Sequence, residues 1–537
     1  MKKLPLLLLM IGNCFVAAAQ SWPDTVAAIE KLFSRYTNTT PGAELAISRN
    51  GQVIFSKAWG MADLEHNVPL TTTSPTEAGS VSKQFTAAAI LLLEQQGKLS
   101  LNDDVRKYVP ELPDYGKVIT LRHAMQHTSG LKDWGSVMDI AGWPRGTRNY
   151  TNEYALYVMT LQPTLNNAPG DEYIYSNSNY NLQAIIVQRV SGLSLAAFTQ
   201  RYIFEPAGMK HTEWRSNYRK VLPNRAIAYS KNGQQYITNM PNESAYGNGG
   251  LLTTAEDLLA WNHFYLGGMF GNPSLLPAQT ATRPLNNGRP NSYAAGLETD
   301  SINRWQAISH TGATAGYRAY LEYFPEAGLS IAWLSNTSAF DSDTLNLSNA
   351  VRKLFLRDRS TVVRRHIAVP VAAEKLTAYV GWYRNPRTGA GLKLYVKEGK
   401  LSSLYPTANL TAISDKVFML GNNRLELNNA SKLLVTAGLD SLYYDQVDSA
   451  VINDKVLKSY VGEYYSSEAE ATYQIELNAG KLLLKQKPTT VFILNPTYKD
   501  GFDSPFGPLY FIRDPKRDVV EFKISVSRAR NVSFKKR

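Results

Sequence analysis

Glu77-Ala78-Gly79-Ser80-Val81-Ser82-Lys83-Gln84-Phe85-Thr86-Ala87-Ala88-Ala89-Ile90-Leu91-Leu92-Leu93-Glu94 sets a serine hydroxyl and a lysine amine three residues apart where an apolar helical run begins. Residues i and i+3 share one face of a helix, so the Lys83 amine reaches the Ser80 hydroxyl in ordinary rotamers. The unpaired N–H groups of a helix start favour negative charge on the Ser80 oxygen or on an oxyanion beside it. Serine is a poor nucleophile until a base takes its proton, and lysine serves as that base only if burial or a nearby cation keeps it neutral. The same spacing recurs at Ser129/Lys132 and Ser533/Lys536. Thr128-Ser129-Gly130-Leu131 has a turn composition, and Ser533 falls in a basic tail that reads as solvated charge. Only Ser80 opens a long helical run.

Outward from this stretch, Ala43 to Lys57 holds two alternating runs joined by Asn50-Gly51, which predicts a hairpin. Asp24 to Arg35 has helical spacing. Residues from about 100 to 300 read mostly as helices and loops. Sheet returns with a hairpin over Ala319–Phe324 and Leu329–Leu334, followed by helical spacing over Asn346–Phe355. Strands at both ends with helices between predict an α+β unit over residues 20–360: one antiparallel sheet closed by distant segments, with a helical region inserted.

Thr361 begins a linker, 361–374, and beyond it the chain repeats itself. Leu376-Thr377-Ala378-Tyr379-Val380-Gly381-Trp382-Tyr383 recurs as Leu457-Lys458-Ser459-Tyr460-Val461-Gly462-Glu463-Tyr464, and Gly399-Lys400-Leu401 as Gly480-Lys481-Leu482; both pairs are offset by 81. Two small antiparallel β modules are expected, over 375–452 and 453–537, with a structural or accessory role.

Lys2 and Lys3 before the apolar run Leu4 to Ala19 read as a signal peptide over 1–19, so export to the periplasm or medium is expected. Cys14 is the only cysteine, so a processed chain has no disulfide, thiolate chemistry or cysteine-ligated metal. His123 and His127 stand at i, i+4 without an adjacent carboxylate, and neither metal nor cofactor is expected. The formal charge is +12; without Lys2 and Lys3 about +1 lies in 21–360 and about +9 in 361–537. No nucleic-acid-reading motif accompanies this basicity, which allows weak contact with an anionic envelope surface at most. Oligomeric state is not legible.

Ser80 and Lys83 need a proton relay and a substrate-aligning edge. Tyr-x-Asn occurs at Tyr36, Tyr150, Tyr175 and Tyr246. Context favours Tyr175-Ser176-Asn177, after Pro169-Gly170 and before the periodic run Leu182–Val190, with Tyr150-Thr151-Asn152 as the alternative. His310-Thr311-Gly312-Ala313 immediately precedes the second hairpin and offers a strand edge with a free N–H.

In this order and spacing, Ser80-x-x-Lys83, Tyr175-Ser176-Asn177 and His310-Thr311-Gly312 resemble the serine β-lactamase and penicillin-binding-protein superfamily, nearest its class C-like branch. His127-Thr128-Ser129-Gly130-Leu131, Gly249 to Asp257 and Gly316-Tyr317-Arg318 are similar to its supporting segments. The resemblance implies a β-lactamase/D,D-peptidase-like fold, Ser80 as acylated nucleophile, Lys83 as its activator and Tyr175 as general base and proton shuttle. It further implies Asn177, His310, Thr311 and Gly312 as substrate-binding residues, the N–H groups of Ser80 and Ala313 as oxyanion hole, and His127 and Glu256 as framework. Histidine at 310 replaces the lysine usual in β-lactamases and D,D-carboxypeptidases, which weakens carboxylate anchoring there. That departure, with two trailing β modules, resembles D-aminopeptidases and esterase-like members. In such relatives a C-terminal module can lend a loop to the site, and Gly501–Pro508 is the segment expected to do so. The activity expected is hydrolysis of an amide or ester, with small D-amino-acid peptides as the candidate substrate class. Short-chain esterase and weak β-lactamase are alternatives, and a penicillin-recognising sensor or envelope-binding protein without turnover is the alternative of another class.

Overall fold

The computed structural model describes residues 21–340, 344–359, 367–404, 406–429, 431–437, 440–487 and 489–537. The expected signal peptide and residues 361–366 of the linker lie outside the described residues. The N-terminal unit is built on a six-stranded antiparallel sheet in the order Glu298–Ile302, Trp305–Thr314, Tyr317–Phe324, Leu329–Ser335, Ala43–Arg49, Gln52–Trp59. Asn50 and Gly51 both take positive φ, 50° and 81°, and turn the first hairpin as that dipeptide does. Ala43–Arg49 pairs directly with Leu329–Ser335, so the two ends of the unit close one sheet.

Burial explains which elements meet. Ala43–Ser48 is buried throughout, because the sheet is covered on both faces. The helices Trp22–Phe33 and Thr344–Phe355 pack on one face through Ile29, Phe33, Leu347 and Val351. On the other face lies the helix Lys83–Gln95, whose Ala87, Ala88, Ala89, Ile90 and Leu91 are buried in the main core. A helix apolar nearly all round belongs in a protein interior. It runs against the equally buried helix Ser178–Ser191, and these two helices fix where Lys83 and Tyr175 stand.

The repeated segments form similar modules. Residues 381–447 make a nine-stranded sheet, and residues 462–536 a closed eight-stranded barrel. Each opens with a short helix, Ala373–Ala378 and Asp454–Tyr460. The same hydrogen bond recurs in both: Tyr383 Oη donates to Tyr379 O at 3.0 Å and Tyr464 Oη to Tyr460 O at 2.8 Å. Aromatic rings fill the barrel, with Phe534 stacked against both Tyr473 and Phe522 at 4.6 and 4.8 Å.

The barrel shares its packing with the N-terminal unit. Trp134, Val137, Ile140 and Val158 of that unit lie in one buried cluster with Tyr473, Phe522 and Phe534. Ser533 and Lys536 are not in a solvated tail, since both lie on the last barrel strand; Lys536 Nζ donates to Ser459 O at 3.1 Å. Lys132, of the second Ser-x-x-Lys, is buried and pairs with Glu468 of the barrel at 2.5 Å. Breaking one side of a buried ion pair strands the other charge, so Lys132→Met should destabilise the protein by about 3–5 kcal/mol, and Lys132→Met with Glu468→Leu by much less. Urea unfolding measures both; a single-variant loss below about 1 kcal/mol would show that the pair does not hold the barrel in place.

Candidate active site

Ser80 sits in a one-turn 3₁₀ helix, Gly79–Ser82, which runs straight into the helix Lys83–Gln95. The Lys83 amine lies 3.1 Å from Ser80 Oγ and also donates to Asn177 Oδ1 at 3.1 Å and Asn248 O at 2.5 Å. Lys83 is fully buried and makes no ion pair among the described residues. Burial, helped by the positive charges of Arg145 and Arg528, pushes its amine well below the ordinary lysine range. Ser80 itself is half-buried and lines the cleft.

Tyr175 and Asn177 enter on the segment that leads into the helix Ser178–Ser191. The Asn177 N–H donates to Asp133 Oδ2 at 2.6 Å, and the Ser176 N–H to His127 Nδ1 at 3.1 Å. The ring of His127 packs 4.2 Å from that of Tyr175. His127 thus positions the Tyr175 segment, and His123 takes part in the capping box of Leu121–Met125. The Tyr175 ring lies 4.8 Å from Lys83 Nζ. Burial raises the Tyr175 phenol above its ordinary value, which holds it protonated. The alternative, Tyr150, points elsewhere: its hydroxyl donates to Trp143 O at 2.5 Å, and Thr151 caps the helix Asn152–Thr160.

His310, Thr311, Gly312 and Ala313 lie on the strand Trp305–Thr314, beside the Ser80 turn. Gly312 permits this approach, for a Cβ there would stand 2.0 Å from Ala78 O. Gly79, at φ 50°, would likewise meet Ala313 N at 2.6 Å. His310 is buried, not at the surface. Its Nδ1 faces Thr311 O at 2.6 Å and must donate, so Nε2 accepts from the Tyr293 hydroxyl at 2.8 Å. Burial and the neighbouring Lys83 push this imidazole down to about 3, so it carries no charge at neutral pH.

The cleft, about 540 Å³, brings together Ser80, Tyr175, Asn177, His310, Thr311, Gly312 and Ala313. It also holds residues that the sequence reading gave no site role: Arg145, Glu298 and Arg528, together with Asn248 of the Tyr246-x-Asn match and Arg318 of the Gly316-Tyr317-Arg318 segment. Asn248-Gly249 stands just before the Gly249–Asp257 segment, a signal close enough to have drawn Asn248 in. Arg145 pairs with Glu243, which joins Arg215 and Glu77 in a buried chain of alternating charge. Arg528 comes from the barrel, on the turn between Val519–Val526 and Ala529–Lys536, with its guanidinium 4.7 Å from the Tyr175 ring. The expected donor loop, Gly501–Pro508, does not reach the cleft. Gly501–Ser504 and Gly507–Arg513 pair as a barrel hairpin, and Phe506 packs on Phe492 at 4.6 Å. Glu172, three residues before Tyr175, pairs with Arg387 of the first module and Arg530 of the barrel, each at 2.9 Å. Both modules therefore brace the tyrosine segment.

Residues 29–353, more than half of the chain, match the family model described as Beta-lactamase. The chain belongs to the Beta-lactamase family. This Beta-lactamase family member is 30% identical over 313 residues to Protein flp of Staphylococcus aureus (strain MRSA252), a match covering 56% of this chain and 60% of that protein. It thus spans less than two thirds of that relative's length. By fold it is similar to a penicillin-binding protein homologue from Pyrococcus abyssi (TM-score 0.52, 22% identity, 78% of this chain and 99% of that one). It is also similar to a D-amino acid amidase from Ochrobactrum anthropi SV3 (TM-score 0.53, 19% identity, 62% and 100%). Family and fold agree with the sequence reading of a Beta-lactamase-like serine hydrolase with an antiparallel sheet flanked by helices.

Proposed function

We propose that this chain is an exported hydrolase that cleaves amide or ester bonds of small D-amino-acid derivatives through an acyl-enzyme on Ser80. The observation that carries the reading is a buried lysine without a carboxylate partner among the described residues, 3.1 Å from a half-buried serine at a helix start. The resemblance implied Tyr175 as the general base; burial favours the neutral form of both groups, which supports Lys83 in that role. Lys83 takes the Ser80 proton, and Ser80 Oγ attacks the carbonyl carbon. The N–H groups of Ser80 and Ala313 receive the oxyanion. Tyr175 gives its proton to the leaving nitrogen or oxygen and is reprotonated from Lys83, 4.8 Å from its ring. Water then enters by the reverse route and frees Ser80. Asn177, its carbonyl on Lys83, has its amide N–H₂ left for the substrate.

The D-amino-acid class is supported by the fold shared with a D-amino acid amidase. The uncharged His310, with both ring nitrogens engaged, disfavours a dedicated β-lactamase. A fluorophosphonate probe should label the wild type and miss Ser80→Ala. A panel of D-amino-acid amides, aryl esters and β-lactams should be turned over fastest at the first. Absence of both labelling and turnover would reject the hydrolase, and aryl esters far outpacing amides would make it an esterase.

A further inference from the structure

Three arginines and one glutamate line the Ser80 cleft, and their engagements differ. Arg145 is held by Glu243 in a two-point pair, and Arg318 donates to Ala315 O and Tyr317 O at 2.9 and 2.7 Å. Arg528 makes no ion pair among the described residues, with Glu298 or any other carboxylate. Its backbone, in contrast, is fixed. The Arg528 carbonyl accepts from the Asp133 N–H and from Asn166 Nδ2, both at 3.0 Å, and the Arg530 N–H donates to Asn166 Oδ1 at 2.8 Å. Asp133 also holds the Asn177 N–H, so one residue ties the barrel turn to the Tyr175–Asn177 segment. A half-buried guanidinium over the Tyr175 ring, held on a clamped turn and without an ion-pair partner among the described residues, is a preorganised two-pronged donor in the cleft that Ser80 also lines.

We infer that Arg528 is a specificity-determining residue that binds a carboxylate of the substrate, so that the cleft takes peptides whose leaving portion ends in a free acid. The inference rests on Ser80 as the reacting group. The anion site that a charged residue at 310 would have supplied on the strand is supplied from the barrel. Because Arg528 approaches over Tyr175, which protonates the leaving group, the carboxylate it binds belongs to the leaving side of the scissile bond.

Binding to the Ser80→Ala protein, which cannot turn over, isolates this recognition from the chemistry. Isothermal titration should show D-phenylalanyl-glycine binding about 10- to 100-fold more tightly than D-phenylalanyl-glycinamide, the span of a charge-assisted hydrogen-bond pair. Adding Arg528→Ala or the longer uncharged Arg528→Gln should bring the acid down to the level of the amide, and Arg528→Lys should restore part of the difference. In the wild-type background, Arg528→Gln should lower kcat/KM for the acid by about 10- to 100-fold more than it lowers kcat/KM for the amide. Equal binding of acid and amide, no binding of the acid, or a preference that survives both substitutions would overturn the inference. Preferential binding of the acid without hydrolysis of either peptide by the wild type would instead defeat the proposed hydrolysis and leave the anion site standing.

Discussion

Lys83→Met should lower kcat/KM by about 10²- to 10⁴-fold, the range supplied by a positioned general base. The variant should also change how stability responds to pH. In the folded protein the Lys83 amine is pushed well below 10.5 by burial, while in the unfolded chain it keeps an ordinary value. Between those two values the unfolded state binds more protons, so this residue makes wild-type stability rise with pH. Methionine binds none. The wild type should therefore gain on the variant as pH rises from the depressed folded value towards 10.5, by up to about 1.4 kcal/mol per pH unit. Below the folded value the difference is flat. Urea midpoints at a series of pH values, beside rates on one substrate, test both halves. A difference constant across the series would mean that Lys83 is charged in the folded protein, and near-normal rates would move the base elsewhere.

Gly312→Ala should lower kcat by about 10²- to 10³-fold, with a smaller change in KM, as loss of an oxyanion donor does. The reason is steric. The added Cβ would stand 2.0 Å from Ala78 O and 3.1 Å from Ala319 Cβ, and neither a backbone carbonyl nor a paired strand gives way cheaply. The strand Trp305–Thr314 must draw back from the Gly79–Ser82 turn, which carries the Ala313 N–H away from its proposed oxyanion position. Substrate would still meet Asn177 and Arg528, so binding suffers less than the rate. Pre-steady-state measurement of acylation separates the two, and wild-type acylation in the variant would remove Ala313 from the oxyanion hole.

Much of the site is legible because its chemistry is written in short local motifs. Ser80 and Lys83 meet through helical periodicity alone, and the Asn50-Gly51 turn needs only its own positive φ values. The offset of 81 residues exposes the duplicated modules without any knowledge of their packing. Arg528 carries no such signal. In a basic C-terminal third it is one cation among many, and nothing near it in sequence tells it from a solvated lysine. Gly501–Pro508 has the composition of a loop that could extend, yet Phe506 is drawn onto Phe492. Ser533 and Lys536 read as tail because their partners, Glu468 and Ser459, are far away in sequence.

His310 shows the same division within one residue. Its identity predicts weak anchoring of a carboxylate, but only its surroundings, Tyr293 and the Thr311 carbonyl, fix it as neutral and doubly engaged. By itself the sequence picked out Ser80, Lys83, the tyrosine segment and the strand beside them, because these depend on residue type and on order along elements that each residue's neighbours specify. Tertiary structure alone decided how deeply Lys83 and Tyr175 are buried, which modules brace Tyr175, and that an arginine from the barrel lines the same cleft as Ser80. Those properties come from desolvation and from contacts between residues hundreds of positions apart, which no local pattern encodes.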